Sequence, residues 1–231
     1  MTTAQILSSA REEKRTVLTE IEAKQILSEA GINCTATVLA TSKEQAVSIS
    51  DEIGYPVVLK ISSVDITHKS DSGGVKVNLA DKEAVEQAYD EIMKSCRAYA
   101  PEADIEGVAV QGMATVGTEI IMGMIKDVSF GPVVMFGLGG VLVEVLKDVS
   151  FRIVPIEKAD AVDMTGEIQG KKLLEGYRGQ DPADVPYLQE MLVKLSDFVN
   201  VTPEIEEIDM NPVFAYKDGA VVVDARIILS E

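Results

Sequence analysis

The stretch Gly54–Leu79, GYPVVLKISSVDITHKSDSGGVKVNL, limits the fold of this chain more than any other. Val57-Val58-Leu59 is a short apolar run ending on Lys60, and Val75-Lys76-Val77-Asn78-Leu79 alternates with period two. The first pattern suits a buried strand and the second a half-buried one. The polar segment joining them holds the chain's only histidine, His68, and closes on Gly73-Gly74. The stretch reads as strand, glycine-containing loop, strand, with Lys60 at the mouth of the loop. Such a loop offers backbone N–H groups and two cations to an anion such as phosphate. An ordinary exposed hairpin with a solvated lysine fits the same pattern, because the full P-loop signature is missing.

Charge narrows the partners. The 38 acidic against 21 basic residues give a net charge of −17. That balance argues against nucleic acid and against an anionic membrane, which both need a basic surface. A phosphate site in this chain must then be a local positive exception. The longest uncharged run, 128–143, is 16 residues with four glycines and a proline. It falls short of the roughly 20 residues of a membrane helix. Met1 to Leu18 has no apolar core of a secretory signal, and Cys34 and Cys96 stand far apart without zinc spacing. The expectation is a soluble protein of a reducing cytoplasm.

The remaining chain alternates helical and strand patterns. Thr19-Glu20-Ile21-Glu22 has capping-box spacing and opens a helix that Gly31 stops. Strands are expected over 35–40, 106–113, 118–126, 132–136, 142–146 and 149–155, and helices over 42–53 and 81–99. Leu188, Met191, Leu192, Leu195, Phe198 and Val199 make one apolar stripe of a helix over 184–200, which is core. Strands 204–210, 213–216, 220–223 and 225–229 finish the chain. Strands and helices in both halves predict an α+β protein of two lobes, 1–110 and 111–231, with the boundary near Val110 to Ala114.

Several groups have alternative readings. Asn211 is followed 13 residues later by Asp224. If they face each other across a hairpin ladder, one amide oxygen and one carboxylate make half of a Mg²⁺ site. Equally, Asn211-Pro212 is a turn starter and Asp224 a solvated edge charge. Glu119 is either a ribose ligand or an exposed strand residue. Gly137-Leu138-Gly139-Gly140 lacks the third spaced glycine of a dinucleotide fingerprint and reads as a tight turn. Glu144 and Arg152 suit an ion pair as well as a site. A lone histidine such as His68 is commonly a surface residue, yet a neutral imidazole can serve as base, metal ligand or nucleophile.

Three segments together resemble one family. VVLKISSVDITHKSDSGGVKVNL, VQGMATVGTEIIMGMIKDVSFGPVVMFGLGGVLVEVLKDVSFRIVPI and EIEEIDMNPVFAYKDGAVVVDARI stand in the order found in ADP-forming acetyl-CoA synthetases. The chain resembles their ATP-grasp β subunits, in the NDP-forming acyl-CoA synthetase family, over nearly its whole length. The long middle segment is the specific one. The Lys60 and Asp224 patterns are shared with succinyl-CoA synthetase β subunits.

The resemblance implies a two-lobed ATP-grasp fold and a reaction that interconverts acyl-CoA, ADP and phosphate with acid, CoA and ATP through phosphohistidines. It implies a CoA-binding α subunit as partner, in an α₂β₂ assembly, with Mg²⁺ and ATP/ADP. His68 matches the histidine that passes the phosphoryl group to ADP, with Asp209 orienting it. Lys60, the His68-Lys69-Ser70 loop, Gln111, Ala114 and Glu119 match nucleotide contacts, and Asn211 and Asp224 the Mg²⁺ ligands. Thr67 and Ser72 stand where relatives often have apolar residues, and Gly112 where proline or glutamate is frequent. An ATP-grasp acid–amine ligase and a non-catalytic nucleotide-sensing subunit are the alternatives. Labelled ATP separates the three: label on protein fits phosphohistidine, label on substrate the amine ligase, no label the sensor.

Overall fold

A computed structural model of the chain describes residues 1–140, 147–177, 179 and 181–230. Two compact units emerge, a smaller one of Thr19–Ile21 and Thr35–Ala114 and a larger one of Met1–Leu18, Glu22–Cys34 and Thr115–Glu231. The sequence reading put the leading helices with the first lobe. They group instead with the C-terminal residues, because Ile6, Leu7 and Ala10 of helix α1 (Thr3–Glu12) and Ala23, Ile26 and Leu27 of helix α2 (Glu20–Glu29) enter that unit's core.

The smaller unit is a four-stranded antiparallel sheet of order β1-β4-β2-β3 with two helices. Its elements are β1 (Thr37–Ala40), α3 (Lys43–Ile53), β2 (Val57–Ser62), β3 (Val75–Leu79), α4 (Lys82–Tyr99) and β4 (Gly107–Gly112). The caps follow the sequence: the Gln45 N–H donates to Ser42 Oγ at the start of α3, and the Ala84 N–H to Asp81 Oδ1 at the start of α4. Val57, Leu59 and Ile61 of β2 enter the core with Val85, Ile92 and Cys96 of α4. Val58, Lys60 and Ser62 alternate to the other face, yet all six residues of β2 are buried.

The larger unit is a second antiparallel sheet, β10-β8-β5-β6-β7, with β9 also on β8. Its strands are β5 (Thr118–Asp127), β6 (Gly131–Leu138), β7 (Val149–Ile153), β8 (Ile205–Ala215), β9 (Ala220–Val222) and β10 (Ala225–Leu229). Among the described residues its helices are α1, most of α2, α5 (Lys158–Glu167), a 3₁₀ turn (Gln169–Leu173) and α6 (Val185–Val201). Ile120, Met122 and Met124 of β5 share a core with Leu188, Met191, Leu192 and Leu195 of α6. The segment before α2 runs along the sheet edge, with the Leu18 N–H on the Ile227 carbonyl and the Leu229 N–H on the Thr16 carbonyl.

Two strand readings change. The strands expected over 204–210 and 213–216 are one strand, β8, running through Asn211-Pro212. Proline is tolerated there because the ladder is interrupted: β8 passes from β10 to β9, and its register with β5 shifts between Ile120 and Met122. The strand expected over 142–146, with Glu144, lies outside the described residues. No helix of the described residues is long and apolar enough to cross a membrane.

Candidate active site

In the smaller unit, Lys60 stands within β2 rather than at the mouth of the loop. The ladder to β4 continues past it through Ile61 and Ser62, opposite Val108 and Gly107. Lys60 is only 5% exposed. Its ammonium reaches the Glu20 carboxylate, Nζ to Oε1 at 2.7 Å, and Lys69 Nζ reaches Oε2 of the same group at 2.9 Å. The structure thus brings Lys60 and Lys69 together around one buried acid.

The segment after β2 is pinned at three points. Ile66 enters the core, the Asp104 N–H donates to Asp65 Oδ2 at 2.8 Å, and the turn 68–74 closes on itself. Within that turn the Lys69 carbonyl accepts from the Gly74 N–H at 2.7 Å and from the Ser72 hydroxyl at 2.9 Å. Gly74 is required by this geometry, since a Cβ there would lie 2.6 Å from Ile61 Cγ2 and 3.0 Å from the Lys69 carbonyl oxygen. His68 and Ser70 are exposed at the rim of the turn. His68 directly precedes Lys69 in that turn.

Gln111, expected at a nucleotide hinge, is 1% exposed, and its Oε1 accepts from the hydroxyls of Thr35 and Thr37, both at 3.3 Å. Ala114, three residues on, is half-buried and is the last residue of the smaller unit.

In the larger unit, Glu119 is exposed on β5; Gly137 and Leu138, expected in a tight turn, are the last residues of β6, and only Gly139-Gly140 follow the strand, against Glu119. The Gly139 N–H donates to the Glu119 carbonyl at 2.8 Å. A Cβ on Gly140, whose φ is +62°, would come within 2.4 Å of Glu119 Oε2. The glycines therefore let a backbone pass close to this carboxylate. Arg152 forms an ion pair: its guanidinium meets Glu167, Nη1 to Oε2 at 3.0 Å.

Asn211 and Asp224 meet across the sheet, with the Asn211 N–H on the Asp224 carbonyl at 3.2 Å. Asp224 Oδ1 also accepts the Ala225 N–H at 3.1 Å. Two side-chain oxygens on paired positions fit Mg²⁺, which takes one or two protein oxygens and completes its shell with water and phosphate. Among the described residues no group of three His, Cys, Asp or Glu gathers as a closed cage. Asp209, two residues before Asn211 on β8, lines a groove of about 370 Å³ with Ile121, Gly123, Met135, Phe151 and Glu207. Burial pushes its carboxyl above the ordinary range; Arg226 offsets part of the rise, and the Glu207 and Asp224 carboxylates add to it.

Sequence reasoning missed Glu20, which it placed only as part of a capping box. An acid at the start of an apolar helical face was the available signal, but nothing local said that two lysines would converge on it.

The ATP-grasp domain family matches residues 9–229. The chain is 49% identical to the acetate–CoA ligase [ADP-forming] I subunit beta of Pyrococcus furiosus, covering 97% of each. Among solved structures, the dinucleotide forming acetyl-coenzyme A synthetase 1 of Ca. Korarchaeum cryptofilum, with coenzyme A, Ca-AMPCP and HgCl+, superposes with a TM-score of 0.96 at 48% identity, over 99% of this chain and 100% of that one. The same enzyme with coenzyme A and Mg-AMPPCP, its phosphohistidine segment pointing towards the nucleotide binding site, gives 0.87 at 45% identity, over 99% and 100%. The chain belongs to the ATP-grasp family, among the β subunits of ADP-forming acetate–CoA ligases.

Proposed function

We propose that this chain is the nucleotide-binding β subunit of an ADP-forming acyl-CoA synthetase, interconverting acyl-CoA, ADP and phosphate with acid, CoA and ATP. The observation that carries the reading is His68: the chain's only imidazole is exposed on a turn whose next residue, Lys69, shares a buried carboxylate with Lys60. Identity to a β subunit over 97% of both chains supports it.

The two compact units act as the two ATP-grasp lobes. Lys60, Lys69 and Ser70 of the smaller unit hold nucleotide phosphates, and Gln111 and Ala114 belong to the segment beside the base. Glu119 of the larger unit receives the ribose. Asn211 and Asp224 hold Mg²⁺, which when bound neutralises phosphate charge. His68 takes the phosphoryl group as its imidazole nitrogen forms an N–P bond while the bond from phosphorus to the partner's phosphohistidine nitrogen breaks, and gives it up as a β-phosphate oxygen of ADP attacks the same phosphorus and the His68 N–P bond breaks. Asp209 of the larger unit is the acid we assign to orient the reacting imidazole during transfer.

A CoA-binding α subunit supplies the acyl-CoA half of the reaction, in an α₂β₂ complex. Incubating the chain with that subunit, acetyl-CoA, ADP, phosphate and Mg²⁺ tests the proposal. ATP formation that needs both proteins is expected; ATP formation by the chain alone, or none by the complex across a panel of acyl-CoAs, overturns it.

A further inference from the structure

Glu20 stands in the first turn of α2 and groups with the smaller unit. Its side chain is 3% exposed, and each of its oxygens receives a different ammonium group, Lys60 on Oε1 and Lys69 on Oε2. The two lysines come from different parts of the unit. Lys60 is fixed in the middle of β2, whereas Lys69 lies in the loop, next to His68.

Lys69 is also the internal anchor of that loop. Its carbonyl holds the Gly74 N–H and the Ser72 hydroxyl, while the Gly73 N–H closes on the Ser70 carbonyl at 3.1 Å. A displacement of Lys69 therefore displaces the whole turn. One carboxylate between two ammonium groups leaves a net positive charge, so this bridge does not cancel the attraction for phosphate.

We infer that Glu20 is a positioning residue: by bridging Lys60 and Lys69 it latches the loop to β2 and fixes where His68 stands relative to Lys60. The inference rests on the reading of His68 as phosphoryl carrier. Glu20 makes and breaks no bond. Mere compensation of the buried Lys60 charge is the competing role, and in that role Lys69 is irrelevant.

The test uses the complex with the α subunit and four variants: Glu20→Gln, Lys69→Met, the pair combined, and His68→Asn. Steady-state ATP formation and amide hydrogen exchange are measured on each. In Glu20→Gln, kcat should fall about tenfold to a hundredfold, as expected when a reacting group is misplaced, with the KM for ADP within about threefold. Amides of residues 69–74 should exchange faster in both single variants, those of β2 and β4 should not, and the combined variant should be no worse than the poorer single one. Unchanged kcat and exchange in Glu20→Gln, or additive effects in the combined variant, overturn the latch. If Glu20→Gln does not fold, Lys69→Met decides alone, since it leaves the Glu20–Lys60 pair whole. His68→Asn separates the two levels: normal turnover there sinks the carrier reading, while its loss beside an unaffected Glu20→Gln sinks only the latch.

Discussion

Asn211 and Asp224 are 13 residues apart in sequence and joined by a backbone hydrogen bond, the Asn211 N–H on the Asp224 carbonyl at 3.2 Å. That bond sets the two residues on facing backbone positions. On the proposed Mg²⁺ reading, the charge of Asp224 sets their value to a nucleotide. Asp224→Asn keeps the shape and removes the charge, so ADP binding in the presence of Mg²⁺ should weaken by about tenfold or more. Chelating Mg²⁺ from the wild type should bring its affinity down to that of the variant. Titration calorimetry with and without chelator checks both, and equal affinities throughout refute the assignment.

Asp209 carries a pH signature. Its folded-state pKa is raised, chiefly by burial, so the native state binds the proton more tightly than the unfolded chain does. Stability from this group is present in full below the ordinary aspartate range and is lost as pH rises through the folded value. Above the ordinary aspartate range, burial of this group therefore costs the fold stability. Asp209→Asn should be more stable than wild type at pH 7, with the gap closing as pH falls below about 4. The same variant should form ATP more slowly. Urea unfolding across that pH range reads the first effect; a gap that widens on acidification contradicts it.

The fold was legible where local chemistry sets the element. Ser42 and Asp81 cap their helices as their positions suggest, and the α6 stripe is core. It was not legible where a distant partner decides. Ile6, Leu7 and Ala10 form one face of α1, but only the core they enter assigns that helix to the larger unit. Pro212 argues locally for a break, and only a change of neighbouring strands makes room for it inside β8. At the site, Lys60 and His68 stood out by type and place. Glu20 did not, because it lies 40 residues from Lys60 and 49 from Lys69.

Gly74 has no room for a side chain. A Cβ would press on Ile61 and on the Lys69 carbonyl, both part of the loop's anchorage. Gly74→Ala should cost about 1–3 kcal/mol of stability. Gly54→Ala serves as a control that differs in one respect, since nothing lies within 4 Å of its Cβ position and only its φ of +89° opposes the change. Chemical denaturation of both variants, with exchange at residues 69–74, distinguishes crowding from backbone strain. Loop amides should loosen in Gly74→Ala alone.

Burial pushes the Cys34 thiol up to about 11, and Cys96, behind the loop against Ser72, is raised by burial as well. The thiolate is the reactive form, so both should be nearly inert to a disulfide reagent at pH 7.5 in the native protein. Both should react within the dead time of mixing once the chain is unfolded in guanidinium. Rapid native labelling of the buried Cys96, or of the half-buried Cys34, would contradict the raised thiol expected there.

On the proposed function, His68 is the residue on which the chemistry turns. Phosphoryl transfer needs an in-line nucleophile and stabilisation of the charge on the transferred group. In that reading the His68 imidazole supplies the first, and the Lys60–Lys69 pair held by Glu20 supplies part of the second. Asparagine is similar in size and polar but is a poor nucleophile, so His68→Asn tests the nucleophile without emptying the turn. ATP formation by the reconstituted complex should fall by about a thousandfold or more. Phosphorylation of the partner's own histidine by acyl-CoA and phosphate should persist, because that half-reaction needs nothing from this loop. Label that is stable to base and labile to acid should then accumulate on the partner and be absent from this chain. Near-normal turnover in the asparagine variant would make His68 a positioning group and leave the relay without its second carrier.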